Sequence, residues 1–123
     1  MGLFSRRRRS ARGTVPAGAP DAVPDREARA ATLAYLRDFV ATRVGVEAYV
    51  EPRTNVTQTT IMLVATDGEW TRRKVPDERT AGTLARELGI PVYDVQRTGY
   101  PQRVRDWNTR QRIERRRRAA ERG

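Results

Sequence analysis

The sequence of 123 residues contains no cysteine and no histidine. The absence of cysteine excludes disulfides, thiolate metal sites and thiol nucleophiles. The absence of histidine excludes Ser-His-Asp catalysis, imidazole metal ligands and the usual general base. Most familiar enzyme classes therefore do not fit this chain, and the sequence favours a protein that binds over one that catalyses.

Apolar residues are also scarce, because the hydrophobic set makes up 37% of the chain and charged residues make up 33%. Ordinary domains contain about 45–50% apolar residues, so part of this chain is expected to lie outside any core. No run approaches the roughly 18 apolar residues of a membrane-spanning helix. No glycine-rich nucleotide fingerprint is present either, so we expect a cytoplasmic protein without a cofactor.

Lysine occurs once, whereas arginine occurs 24 times, and the formal net charge is +10. Phosphate recognition would explain the preference for arginine over lysine, because guanidinium groups bind phosphate in a bidentate manner. A GC-rich genome would also explain it, because its codons favour arginine. The net charge is +3 in residues 1–25, +1 in residues 26–100 and +6 in residues 101–123. This division predicts a disordered basic arm, an α+β domain and an arginine-rich C-terminal helix.

The N-terminal arm alternates proline with glycine and alanine and has no helix or strand periodicity, which predicts disorder. Four arginines, Arg6 to Arg9, follow the apolar pair Leu3 and Phe4. This combination could contact an anionic membrane. Two apolar residues anchor weakly, however, so peripheral membrane contact is a minor alternative.

Periodic apolar residues over the rest of the chain predict the order α-β-β-β-α-β-α. A β-meander plus one further strand would form a small mixed β-sheet with helices packed on it, which is an α+β fold. The predicted elements are a helix over 26–44, strands over 46–50, 57–66 and 69–75, a helix over 77–88, a strand over 90–95 and a helix over 102–121.

The segment 57–66 gives the clearest strand signal. Apolar side chains from Ile61 to Val64 would point alternately to both faces, so we expect this strand to lie mid-sheet. Asp67 and Gly68 predict a two-residue type I′ hairpin turn, in which both central residues need positive φ. The return strand would then lie at an edge of the sheet.

Two known topologies share part of this order. The double-stranded RNA binding domain needs a lysine-rich start to its second helix, where this chain has Asp77, Glu78 and Arg79. The nuclease core of the restriction endonuclease type needs a lysine two residues after an acidic residue on its third strand. Here Glu69 is followed by Thr71 at that position. Neither activity is predicted. A small enzyme of unrecognised type remains as the third hypothesis for function, after nucleic-acid binding and protein-protein interaction.

Carboxylates are numerous in residues 26–100 and would form a Mg²⁺ site if folding brought them together. The simpler interpretation is that they balance the eleven basic residues of the same span, so no metal site is predicted. The candidates are Glu47, Glu51, Asp67, Glu69, Asp77, Glu78 and Asp94.

The segment from Tyr49 to Arg103 resembles a group of short, uncharacterised basic proteins of high-GC bacteria. The resemblance rests on VEPRTNVTQTTIMLVATDGEWTRRKVP and LARELGIPVYDVQRTGYPQR, and it covers just under half of the chain. It implies a bacterial origin, and some members carry a loose oxidoreductase label. It implies no mechanism, and no functional residue is carried over from it.

Basic residues interleaved with aromatic residues are typical of nucleic-acid surfaces. One such group lies on the predicted edge strand and another along the C-terminal helix. Cations on an edge strand also prevent unwanted sheet pairing. A solvated helix would also account for the C-terminal run. The predicted nucleic-acid-binding residues are Arg72, Arg73, Lys74, Arg103, Arg110, Arg112, Arg115, Arg116, Arg117 and Arg118.

The sequence thus predicts a small non-enzymatic protein that binds RNA or DNA phosphates through its arginine-rich arms with little sequence specificity. The first alternative is a protein-protein interaction module for an acidic partner. In that interpretation Trp70, Tyr100 and Trp107 would act as the anchors.

Overall fold

A computed structural model describes residues 25–122, and the predicted disorder of the N-terminal arm lies outside these residues. The described part confirms the α+β class and the predicted order of elements, with one short helix added before the last. The helices are α1 (Asp25–Thr42), α2 (Glu78–Leu88), α3 (Val95–Thr98) and α4 (Gln102–Arg122); the strands are β1 (Glu47–Glu51), β2 (Thr60–Val64), β3 (Trp70–Lys74) and β4 (Val92–Asp94).

The four strands form one mixed sheet in the order β3-β2-β1-β4. The first three are a meander of antiparallel neighbours, and β4 lies parallel to β1, with Tyr93 opposite Tyr49. The strand β2 therefore lies mid-sheet and β3 at an edge, as predicted. Helix α2 connects β3 to β4, which lie at opposite edges.

Residues from Thr32 onward form one compact unit with a core on each face of the sheet. On one face, Leu36 of α1 and Leu84 of α2 pack against Ile61 and neighbouring strand residues. On the other face, Val104 of α4 packs with Tyr49, Met62 and Val64, and half-buried Trp70 joins them. Because successive side chains of a strand point to opposite faces, β2 contributes to both clusters.

The β2–β3 hairpin differs from the predicted two-residue type I′ turn. The Gly68 N–H donates to the Ala65 carbonyl at 2.9 Å, so Thr66 and Asp67 are the central residues of the turn. Gly68 follows them with a φ of 95°, and Glu69 accepts a hydrogen bond from the Ala65 N–H at 2.8 Å. This is the three-residue loop in which a positive-φ glycine follows the turn.

Local signals account for the limits of the other elements. Asp77 caps α2 by accepting a hydrogen bond from the Thr80 N–H at 2.8 Å, which holds the pKa of the Asp77 carboxyl below its usual value. Gly89 ends α2 in the left-handed conformation with φ of 70°. The strand β4 is shorter than predicted because Asp94 caps the four-residue helix α3. Within residues 25–122, no helix is both long enough and apolar enough to cross a membrane.

Candidate nucleic-acid interface

Arg72 on the edge strand is engaged within the fold. Its Nε and Nη2 atoms each donate to one oxygen of the Glu51 carboxylate at 2.7 Å. The hydroxyls of Thr60 and Tyr100 also donate to this carboxylate, which is 12% exposed. Burial alone would raise the pKa of Glu51, but the hydrogen bonds from these three residues outweigh it and lower the pKa. Arg72 is therefore an ion-pair partner within the fold, and its Nε–Nη2 edge is not open to phosphate.

Arg73 and Lys74 do not form a common surface with each other. Alternation along β3 places Arg73 on the opposite face of the sheet from its two neighbours, Arg72 and Lys74. The Arg73 guanidinium stacks on the Tyr35 ring at 3.5 Å, and the Tyr35 hydroxyl shares a hydrogen bond of 2.6 Å with the Thr71 hydroxyl. Both cations are exposed, but the predicted edge-strand patch is divided between two faces.

The first part of α4, residues 102–111, is here called the near half. Its arginines Arg103 and Arg110 are bonded to the domain. The Arg103 Nη2 atom lies 2.6 Å from the Glu47 carboxylate, and its Nε donates to the Ala65 carbonyl at 3.0 Å. The Arg110 Nη2 atom donates to the Asp67 carbonyl at 2.7 Å. Two of the predicted phosphate ligands therefore fasten the helix to the sheet and to its hairpin.

Apolar and close contacts also fix the near half. Val104 is buried, and the Trp70 indole N–H donates to the Asn108 side-chain oxygen at 2.9 Å. A Cβ atom built on Gly68 would lie 2.0 Å from the Arg103 carbonyl oxygen and 3.0 Å from the Trp107 Cβ. The hairpin thus needs glycine at this position for two reasons, its positive φ and the close approach of α4.

The remainder of α4, residues 112–122, is here called the far half, and every one of its residues is exposed. Its arginines are Arg112, Arg115, Arg116, Arg117, Arg118 and Arg122, and its acids are Glu114 and Glu121. Arg117 lies 3.9 Å from the Glu114 carboxylate, and Arg112 donates to the Thr109 hydroxyl at 3.1 Å. Across residues 25–122, no hydrogen bond or ion pair engages the other four arginines.

A shallow depression of about 270 Å³ marks the surface of the far half. Arg112, Arg115, Arg116 and Ala119 line it, and their spacing of three and four residues places them on one face of the helix. The structure therefore brings together three of the predicted site residues around a small side chain. Arg122, which the sequence analysis did not include, belongs to the same exposed segment. Its signal was its spacing of seven residues from Arg115.

The aromatic residues that the alternative function would use as anchors lie at the base of α4. Trp70 and Trp107 are half-buried. The Trp70 side chain is bonded to Asn108, and the Arg110 guanidinium lies 5.8 Å from the centre of the Trp107 ring. The Tyr100 ring is 41% exposed, but its hydroxyl donates to Glu51. Trp70 thus bonds the sheet to α4, and Tyr100 bonds the loop before α4 to β1.

The carboxylates of the domain are dispersed. Glu47 and Glu51 pair with arginines as described, and Glu69 accepts a hydrogen bond from Arg43 at 2.7 Å. Asp77 and Asp94 cap helices. Among residues 25–122, no three acidic side chains are grouped so that they could hold a metal ion.

No protein-family model matches the chain, and neither does any curated protein or solved structure. The interpretation of the site therefore depends on its own geometry and charge.

Proposed function

We propose that the protein binds nucleic-acid phosphates through the far half of α4, without catalysis and with little sequence specificity. The observation that carries this proposal is that no residue within 25–122 forms a hydrogen bond or ion pair with Arg115, Arg116 or Arg118, which lie in an exposed helix. Like charges three and four residues apart destabilise a helix. Phosphates would remove that repulsion, and guanidinium groups bind them in short, charge-assisted hydrogen bonds.

The docking of the near half supports the proposal because it prepares the far half for binding. Val104 in the core and the bonds of Arg103 and Arg110 fix the direction of the helix. A charged helix that is already ordered loses less conformational freedom on binding than a flexible arm would lose. The far half thus offers its arginines as a preorganised cationic surface, and the compartment that the proposal assumes is a bacterial cytoplasm.

The other predicted ligands have different parts in this proposal. Arg72, Arg103 and Arg110 stabilise the fold through their bonds to Glu51, to Glu47 and to the hairpin. Arg73 and Lys74 are exposed on opposite faces of β3, so they add to the long-range attraction of an anionic ligand without forming a site.

The salt dependence of binding tests the proposal. Four phosphate contacts should contribute about −3 to −4 to the slope of log affinity against log salt, at roughly 0.7–0.9 per phosphate. Replacing Arg115 to Arg118 with Gln should remove that part of the slope and weaken all sequences alike. Fluorescence anisotropy with labelled random DNA and RNA measures both quantities, and heparin should displace either ligand.

A variant of equal charge serves as the control. Arg37, Arg53, Arg79 and Arg97 are exposed and lie outside α4. Replacing these four with Gln lowers the net charge by the same amount, and we expect it to change the slope much less. If the control variant loses as much affinity as the far-half variant, binding does not occur at α4. If wild-type protein binds neither DNA nor RNA at about 50 mM salt, where even a few phosphate contacts should be measurable, the proposal is wrong.

A further inference from the structure

The charges of the far half are sorted to different sides of the helix. At about 100° per residue, Glu114 and Glu121 lie on one stripe, because seven residues return almost to the same side. Arg117 lies beside this stripe, 3.9 Å from Glu114. The other five arginines share an arc of about 160° that contains no acid. They are Arg112, Arg115, Arg116, Arg118 and Arg122, and we call this surface the basic arc.

Near the centre of the basic arc lies Ala119, the smallest side chain in it. Arg112, Arg115 and Arg116 lie on the two preceding turns and line the depression described above together with it. A methyl group at the centre lets the helix backbone come close to a ligand surface. The long arginine side chains at the sides of the arc can then reach past that surface in two directions.

A solvated helix would not need this arrangement. Glutamates spread among the arginines at spacings of three and four would relieve repulsion around the whole circumference. In the far half both glutamates fall on one stripe, and within the basic arc they lie at these spacings from Arg118 alone. The repulsion among Arg112, Arg115, Arg116 and Arg122 is therefore uncompensated. The arrangement favours a ligand that supplies anionic groups on both sides of the helix and open space between them.

We propose that the basic arc enters the major groove of B-form duplex DNA. This inference rests on the proposed function and names its ligand. A helix with its side chains is about 10–12 Å across, and the B-DNA major groove is about 12 Å wide. The arginines at the two sides of the arc contact phosphates of opposite strands, and Ala119 faces the floor of the groove.

Other nucleic acids do not match the basic arc as well. The major groove of A-form RNA is deep and narrow, so a helix of this width does not enter it. A single strand presents one line of phosphates, which a narrow row of arginines would satisfy. Ala119 offers a methyl contact to base edges at the floor of the DNA groove.

A pair of neutral substitutions tests the orientation of the helix. Ala119→Leu fills the centre of the basic arc, whereas Ala120→Leu adds the same group about 100° away, outside the arc. Both residues are exposed and helical, and Leu is nearly as good a helix former as Ala. We expect Ala119→Leu to weaken binding to a 20-base-pair duplex roughly tenfold, because the groove contact is lost, and Ala120→Leu to change it by less than about twofold. Equal affinities of the two variants would contradict the inference.

Two altered duplexes test the groove itself. DNA whose cytosines carry glucosylated hydroxymethyl groups keeps its phosphates but has a filled major groove, and an RNA duplex of the same sequence is A-form. We expect wild-type protein to bind each of them about tenfold more weakly than the unmodified DNA, since neither admits the helix. Equal binding to all three duplexes would overturn the inference and leave phosphate binding by α4 intact. No binding to any of them at about 50 mM salt would overturn the proposed function itself.

Discussion

The two halves of α4 use the same residue type for different purposes. In the near half, Arg103 and Arg110 donate to a carboxylate and to main-chain carbonyls of the domain. In the far half, Arg115, Arg116 and Arg118 project into solvent, and no described residue binds them. The comparison teaches that the role of an arginine depends on what lies within its reach, because the same side chain is bonded to the domain in one half and exposed to solvent in the other.

The edge strand supports the same conclusion. Arg72 and Arg73 are adjacent in the sequence, but Arg72 binds Glu51 and Arg73 stacks on Tyr35. Neither contact is visible in the local sequence. Both follow from the alternation of β3 and from elements that are distant along the chain.

We expect Gly68→Ala to have the largest effect on the free energy of unfolding, because it disturbs the docking of the near half. The new Cβ would meet the Arg103 carbonyl and the backbone would keep a φ of 95°. We expect a loss of about 3 kcal/mol in the free energy of unfolding, from the left-handed backbone and the overpacking together. Gly89→Ala is the control. Gly89 has a φ of 70°, and no atom of the described residues lies within 4 Å of a Cβ built on it. This substitution should cost about 1 kcal/mol. Denaturant unfolding followed by tryptophan fluorescence measures the free energy of unfolding of both variants. Equal losses of stability in the two variants would contradict the close approach of α4 to Gly68.

The next largest effect concerns Glu51 and its dependence on pH. A lowered pKa in the folded state means that the ionised carboxylate stabilises the protein above its ordinary pKa, about 4.3. That contribution is lost as the pH falls through the lowered folded pKa of Glu51. Glu51→Gln should reduce the free energy of unfolding by about 2 kcal/mol at pH 7. It should also make the loss of stability below about pH 4.5 shallower than in wild type. Urea unfolding is measured between about pH 2 and about pH 7, which extends from the acid range where the carboxylate is protonated to well above it. Parallel losses of stability in the two proteins would count against this account.

A smaller effect separates two arginines of the near half. Arg103→Gln removes the bonds to Glu47 and to the Ala65 carbonyl. We expect a loss of about 1 kcal/mol in the free energy of unfolding, since the side chains of Arg103 and Glu47 are half-buried and water replaces part of the interaction. Arg105 is exposed, and among the described residues it bonds only to Gln102 of its own helix. Arg105→Gln should therefore stay within about 0.5 kcal/mol of wild type. Thermal unfolding measures the stability of the two variants. A larger loss of stability in Arg105→Gln than in Arg103→Gln would contradict the role of Arg103 in holding α4 on the domain.

The smallest effect on stability is expected in the far half. Replacing Arg115 to Arg118 with Gln should change the free energy of unfolding by less than about 0.5 kcal/mol. The direction should be a slight gain, because repulsion along the helix decreases. Hydrogen exchange of residues 32–104 should be unchanged in this variant. A loss of more than about 1 kcal/mol would mean that the far half supports the fold.

The sequence predicted those parts of the fold that depend on local signals. The alternation of Ile61 to Val64 predicted a mid-sheet strand with two apolar faces, and the structure confirms it. The helix predicted over 77–88 is confirmed as α2, which Asp77 caps at its start and Gly89 at its end. The predicted type of hairpin turn was wrong, because Thr66 and Asp67 are the central residues and Gly68 follows them with positive φ. The close approach of Arg103 and Trp107 to Gly68 is not visible in the local sequence.

The candidate site was predictable in its location but not in its details. The run Arg115 to Arg118 predicted an exposed cationic helix. The partners of Arg72 and Arg103 are carboxylates 21 and 56 residues away in the chain. Sequence spacing therefore could not separate the arginines that hold the fold from those left free in solvent.

The nucleic-acid content of the purified protein tests the central proposal most directly. The ratio of absorbance at 260 and 280 nm would be measured before and after a wash at about 1 M salt, which abolishes phosphate contacts. For wild type we predict a raised ratio that the wash lowers, and for the variant with Arg115 to Arg118 replaced by Gln a low ratio throughout. A wild-type protein that elutes free of nucleic acid and binds none at about 50 mM salt would contradict the account.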